Sequence, residues 1–362
     1  MSDGSSVTAA SNDDDSWLTF LSHRSGSNLL YRMRPDGGEL TPIFGGVLKD
    51  VPGLSEGQCL YRKPHWTRLS PDRKFFLSWA EDVSSPSETN PAPRSHFVIQ
   101  LGRIDGGPTR VLAPDRPGEV FTWAPDSRRF AYSRFPGPDT RTVTGLSPRI
   151  ASTQVVIVDV KGLWEEVILE KSGYWTASDW SPDGQRLLLL YEPTRSPRFG
   201  RSDVIELDLV KARDRKQRMN ELRPGEDFAS GRAVERCLRS LTDGQPIGWF
   251  TDARLSPDGT RIAVVFSRRT QLNDPGFHEL GVFDLASETL LPIANYPDPD
   301  RIVGPICWSP DGTEILLARS LEAGDPRESL ATSDAQRPGI WAIRPDGTGE
   351  RFITTGWCPD WR

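Results

Sequence analysis

Six times along this chain of 362 residues a bulky apolar residue is followed, two positions on, by Pro-Asp: LSPD at 69–72, WAPD at 123–126, WSPD at 180–183, LSPD at 255–258, WSPD at 308–311 and WCPD at 357–360. Apart from a longer third interval, the copies recur at about the length of one four-stranded propeller blade, some 40 to 50 residues plus loops. A unit of that size cannot bury its own apolar face, so the copies must stack on one another. Within a copy the order is constant: an apolar position, a Ser-Pro-Asp-Gly turn, an apolar strand, a variable loop, and two further strands. The third copy reads Trp180, SPDG, RLLLLY at 186–191 and DVIELDL at 203–209.

Turn chemistry accounts for the tetrapeptide. Ser suits the first position, Pro presets the backbone at the second, Asp bonds nearby backbone at the third, and Gly relaxes the exit. The Pro-Asp aspartates are therefore expected to be turn residues rather than catalysts. The Trp or Leu ahead of the turn ends an innermost strand, where a large side chain buries most area between blades. The first, second and sixth copies carry Arg73, Ser127 and Trp361 in place of the final Gly, so those turns should be less relaxed.

These W-S-P-D-G repeats resemble the TolB-like, Pro-Asp type of WD-repeat-related propeller, also found in the propellers of tricorn-type and prolyl-oligopeptidase-type peptidases. The resemblance covers nearly the whole chain. No Gly-His or Trp-Asp dipeptide occurs, which separates it from true WD repeats. It implies an all-β, six-bladed propeller. The ends support closure: WLTFL at 17–21, LLYRM at 29–33 and ELTPIF at 39–44 supply three strands without an inner one, while the C-terminal WCPD copy supplies an inner strand without a blade. Joined, they close the ring and remove its open edges. The expected organisation is a disordered lead-in over 1–16 and one propeller over 17–362, with an insertion at about 211–238 in the third blade.

Composition fits: 32 Gly and 31 Pro supply turns, and 12 Trp supply interblade packing. A formal net charge of −6 argues against generic nucleic-acid or anionic-membrane binding, and no apolar run is long enough to span a bilayer. The N-terminus has neither a basic nor an apolar signal region, so the chain as written reads as a cytoplasmic monomer; a periplasmic or secreted origin requires a removed signal peptide. Cys59, Cys237, Cys307 and Cys358 show no CxxC spacing and read as free thiols, with a Cys307–Cys358 pair the alternative.

Catalytic signatures are thin. Gly53-Leu54-Ser55-Glu56-Gly57 matches G-x-S-x-G but lacks the strand and helix of a nucleophile elbow. The four histidines, His23, His65, His96 and His278, have no ligand spacing, so no cofactor or metal is expected. The long second-to-third loops should share one end of the ring with the starts of the inner strands, and loops clustered on a rigid scaffold carry binding. There Arg141, Arg149, Arg195 and Arg198 stand near Tyr174, Trp175 and Trp249, with Arg62 and His65 at the start of the first inner strand. Arginine forks beside aromatic surfaces suit a carboxylate-bearing ligand. Two function classes follow: a non-enzymatic propeller binding a protein, a peptide or an acidic oligosaccharide on that end, and a carbohydrate-active lyase or hydrolase with its site in the central funnel.

Overall fold

The computed structural model describes residues 16–22, 24, 29–44, 61–83, 95–105, 109–113, 117–135, 152–162, 164–193, 202–221, 237–242, 249–267, 277–297, 301–302, 304–320 and 338–361. Three N-terminal strands come first: β1 (Leu18–Ser22), β2 (Leu29–Met33) and β3 (Thr41–Phe44). Five blades follow in chain order. Blade 1 holds β4 (Tyr61–Leu69), β5 (Phe75–Val83), β6 (Ser95–Arg103) and β7 (Arg110–Ala113). Blade 2 holds β8 (Pro117–Trp123), β9 (Arg129–Arg134), β10 (Thr153–Asp159) and β11 (Glu165–Lys171). Blade 3 holds β12 (Tyr174–Trp180), β13 (Arg186–Glu192), β14 (Asp203–Asp208) and β15 (Leu238–Ser240), with helix α1 (Leu209–Glu221) between the last two. Blade 4 holds β16 (Trp249–Leu255), β17 (Arg261–Ser267), β18 (Phe277–Asp284) and β19 (Thr289–Pro297).

In blade 5 the inner strand is split into β20 (Arg301–Ile302) and β21 (Cys307–Trp308), both paired with β22 (Ile315–Ser320), which β23 (Gly339–Ile343) and β24 (Arg351–Thr355) extend. The last strand, β25 (Trp357–Trp361), pairs antiparallel with β1 and so completes blade 6 from the two ends of the chain. All six sheets are antiparallel, and the inner strands meet in sequence around one axis. This is a six-bladed β-propeller closed by N- and C-terminal strands.

The core lies between blades. Successive residues of a strand point to opposite faces, and here both faces are covered, which is why β13 can read as an unbroken run of leucines. Leu187 and Leu189 pack with Ala131, Val155 and Ile157 of blade 2, whereas Leu188 and Leu190 pack with Phe250, Ile262 and Val264 of blade 4.

The turns form as their chemistry dictates. The hydroxyls of Ser70, Ser181, Ser256 and Ser309 donate to Asp72, Asp183, Asp258 and Asp311 at 2.5 to 2.6 Å. The same hydroxyls accept the backbone N–H five residues on at 2.9 to 3.0 Å. Gly184, Gly259 and Gly312 leave with φ of 67°, 70° and 71°; Arg73 and Ser127 hold φ of 60° and 57° in the same place, a conformation costly for residues with a Cβ. The sixth copy departs from expectation. WCPD forms no turn: Trp357 pairs with Leu21 and Asp360 with Thr19, so the whole tetrapeptide is strand, and Trp361 opposite Leu18 is the true counterpart of Trp308.

The basic start of the blade 3 insertion is helical, and its N-terminal end sits on the turn face, where the Leu209 N–H bonds Gln185 O at 2.9 Å. Two of its basic side chains are paired, Arg213 with Glu166 at 3.1 Å and Lys211 with Asp208 at 2.8 Å. Cys237, Cys307 and Cys358 are buried thiols that form no disulfide among the described residues, while Cys59 and Ser55 lie outside the described residues. No helix is long and apolar enough to cross a membrane among the described residues.

Candidate functional site

The residue just before the apolar end of each inner strand faces the axis. Around the ring these are Arg68, Thr122, Asp179, Arg254, Cys307 and Asp360, and all six line one cavity of about 340 Å³. Its rim is made by the turn prolines Pro71, Pro125, Pro182, Pro257 and Pro310, so the cavity opens on the turn face. In a ring of six, blades three apart stand opposite. The axial set is therefore two-fold: arginine faces arginine, aspartate faces aspartate, and Thr122 faces Cys307.

Register shifts make this possible. The inner strands of blades 1, 2, 3, 4 and 6 each carry an irregularity in their pairing, and that of blade 5 is interrupted outright. A bulge re-aims the side chains that follow it. It thereby turns a polar residue to the axis while the next one still packs between blades.

Two kinds of bond join neighbouring blades at this level. Where the strand ends in Trp, its indole N–H reaches back to the axial residue's carbonyl in the preceding blade: Trp123 to Arg68 O at 3.0 Å, Trp180 to Thr122 O at 3.2 Å and Trp308 to Arg254 O at 2.9 Å. Where it ends in Leu, the preceding blade supplies an axial aspartate instead. Asp360 accepts the Leu69 N–H at 2.6 Å and Asp179 accepts the Leu255 N–H at 2.9 Å. Trp361 differs from the other indoles and donates to Ser16 Oγ at 3.3 Å.

Below the ring lies a buried network. Arg254 meets Asp252 at 3.0 Å and 3.2 Å and donates to the Ser178 carbonyl; Asp252 also accepts the Ile306 N–H at 2.8 Å and the Ser178 hydroxyl at 3.2 Å. Burial, and then repulsion from Arg68, lower the Arg254 pKa. Burial also works against charge on Arg68, but the carboxylates around it, Asp360 foremost, outweigh this and raise its pKa. Both stay protonated at working pH, as guanidinium groups do. Burial pushes the Cys358 thiol up, so it is not a thiolate nucleophile at neutral pH. Arg254 also lines a smaller cavity of about 130 Å³ with Trp66, Thr251 and His278, so the Arg254–Asp252 pair partitions the axis. Among the described residues no group of three or more His, Cys, Asp or Glu is placed to hold a metal.

Of the sequence-derived candidates, Tyr174, Trp175 and Trp249 do not line the larger cavity. Tyr174 and Trp175 are interior, at 8% and 2% exposure; Trp175 stacks on Tyr191 at 4.2 Å and donates to Ser172 O at 3.0 Å, so neither ring is an open stacking surface. Trp249 is half-buried at the start of β16. Arg62 and His65 belong to β4, paired opposite Asp82 and beside the Pro64/Trp66 irregularity respectively. Arg141, Arg149, Arg195 and Arg198 lie outside the described residues. What sequence reading missed is the axial ring. Its signal was a polar residue directly before the apolar position in the first four copies, Arg68, Thr122, Asp179 and Arg254.

No known protein-family profile matches the chain, and no curated protein matches it in sequence. Solved structures do. TolB from Acinetobacter baumannii superposes at a TM-score of 0.56 and 14% identity, over 98% of this chain and 68% of that one. The putative TolB from Agrobacterium tumefaciens gives 0.53 and 13%, over 94% and 90%. An oligogalacturonate lyase in complex with manganese gives 0.50 and 12%, over 95% and 75%. The chain is thus a six-bladed propeller, and its fold is the TolB-like one.

Proposed function

We propose that this chain is a non-catalytic binding propeller that takes a protein, peptide or acidic ligand on its loop-rich end. The observation that supports this reading is the commitment of the described axial acids and bases. Asp179, Asp252, Asp360 and Arg254 each bond backbone across blades, which suits a stiff scaffold better than a proton-transfer pair poised near neutrality. The antiparallel topology sends the second-to-third connections to the end opposite the Ser-Pro-Asp turns. The candidate carboxylate grips are Arg141, Arg149, Arg195 and Arg198, which belong by sequence to those connections, with Arg62, His65 and Trp249 from the starts of inner strands as their proposed companions.

The test has two arms. In one, the full chain captures partners from a lysate of its source, and acidic and neutral peptides or oligosaccharides are titrated across a salt series. Acidic ligands should bind better, lose that preference as salt rises, and lose it in an R141Q/R149Q/R195Q/R198Q variant that melts like wild type. In the other, oligogalacturonate is incubated with the protein with and without Mn2+. Turnover there would establish the carbohydrate-lyase alternative and overturn the binding reading.

A further inference from the structure

The second strands of the six blades share one register, set by the residue paired with the end of the inner strand. Two residues on, facing the preceding blade, stand Tyr132, Leu189, Val264, Leu317 and Phe20 in blades 2 to 6, but Ser78 in blade 1. Their cross-strand partners are Val156, Ile205, Gly281, Trp341 and Tyr31, against Gln100 in blade 1. One residue on, facing the following blade, stand Leu77, Ala131, Leu188, Ala263 and Leu316 in blades 1 to 5, but Thr19 in blade 6, with Arg32 across from it. Both exceptions meet at one seam, that between blades 6 and 1.

Each of the other seams is filled by an apolar cluster among the described residues. At the seam between blades 6 and 1, Phe76, with Trp66 and Ile104 at its margin, only extends the cluster of blades 5 and 6. Thr19, Ser78 and Gln100 are buried there, and the Ser78 hydroxyl and the Arg32 Nε have no hydrogen-bond partner among the described residues. Such groups regain water when a seam parts, so their burial opposes closing where apolar burial elsewhere favours it. What fastens this seam lies at the axis: the Leu69 N–H on Asp360 at 2.6 Å, and Arg68 beside the same carboxylate at 3.7 Å. We propose that the seam between blades 6 and 1 is a lateral gate. Under native conditions the ring opens there ahead of its other seams, with β1 and β25 still paired, and parts Arg68 from Asp360, two walls of the axial cavity.

Two backbone groups make a matched pair of reporters. The Leu69 N–H bonds Asp360 across this seam, and the Leu255 N–H bonds Asp179 at 2.9 Å across the apolar seam between blades 3 and 4. Native-state hydrogen exchange of the full chain, read residue by residue and corrected for intrinsic rates, tests the gate without any substitution. The Leu69 amide should exchange at least about tenfold faster than that of Leu255. Ser78→Ala removes the unpartnered hydroxyl without adding volume, and Arg32→Met removes the charge while keeping an apolar stem. Each should slow exchange at Leu69 by a few-fold, about the effect of deleting an unsatisfied buried group, and leave Leu255 as it was. Protection at Leu69 equal to or greater than that at Leu255, or faster exchange at Leu69 in both variants, would overturn the proposal.

Discussion

Two segments of this chain share a pattern and not a structure. In WSPD at 308–311 the aspartate is exposed and accepts the Ser309 hydroxyl at 2.6 Å and the Thr313 N–H at 3.0 Å. In WCPD at 357–360 it is 1% exposed, accepts Leu69 N–H from the next blade and lies 3.7 Å from Arg68. The difference resides in the neighbours. The first has a hydroxyl to bridge the turn and Gly312 to leave it at positive φ; the second has Cys358 and Trp361 in those places, and β1 stands ready to pair. A tetrapeptide makes a turn only when its flanking residues supply both the bridge and the exit.

Removing residues 357–362 probes the second segment most severely. It strips the inner strand from blade 6 and uncovers Leu18, Phe20 and Leu21, all fully buried. The melting temperature should fall by roughly 10 °C or more, and a melt within a degree or two of wild type would refute closure by β25. Next in size is Asp360→Ala, which unpairs a buried arginine and a backbone N–H and should cost about 3 kcal/mol. Asp360→Asn, keeping an acceptor for Leu69, should cost visibly less in denaturant titrations. Asp311→Ala, by contrast, should cost about 1 kcal/mol and leave any ligand affinity unchanged. If the two aspartates proved equally costly, their assignment to different structural roles would fail.

The smallest effect is one of pH. Hydroxyl donation from Ser181 and Ser256, joined by backbone N–H groups, holds Asp183 and Asp258 below the ordinary carboxylate range. A folded pKa below the unfolded one means the contribution is fully present above the unfolded value and is lost as pH falls through the folded one. The stability gap between wild type and Asp183→Ala should therefore stay level from neutrality to about pH 4 and close below it. Denaturant titrations over that range would show it, and a gap that widened in acid would contradict the turn assignment.

The turns could be read from the sequence because their chemistry is local: Ser181, Asp183 and Gly184 lie within four residues, and each side chain's partner is nearby. Closure was readable too, from three strands lacking a fourth. The axial ring was not. Arg68 has its partners in Ile306, Pro359 and Asp360, and an arginine inside a strand announces no such company. The WCPD copy was misread by four residues for the same reason, since its register is set by β1 at the other end of the chain. Tyr174 and Trp175 looked like an exposed aromatic pair. Tyr191 on the neighbouring strand takes the Trp175 ring instead, and Phe135 meets Tyr174 at 5.8 Å.

The geometry of the closing pair has a mechanical consequence. Leu18 lies opposite Trp361 and Leu21 opposite Trp357, so the two ends of the chain leave the sheet from the same side. A force applied to both termini would not shear all the bonds between β1 and β25 together; it would peel them one after another, starting at Leu18 and Trp361. A ring that resists heat as a single unit would then open under tension like a zipper, at one blade, with the other five still folded.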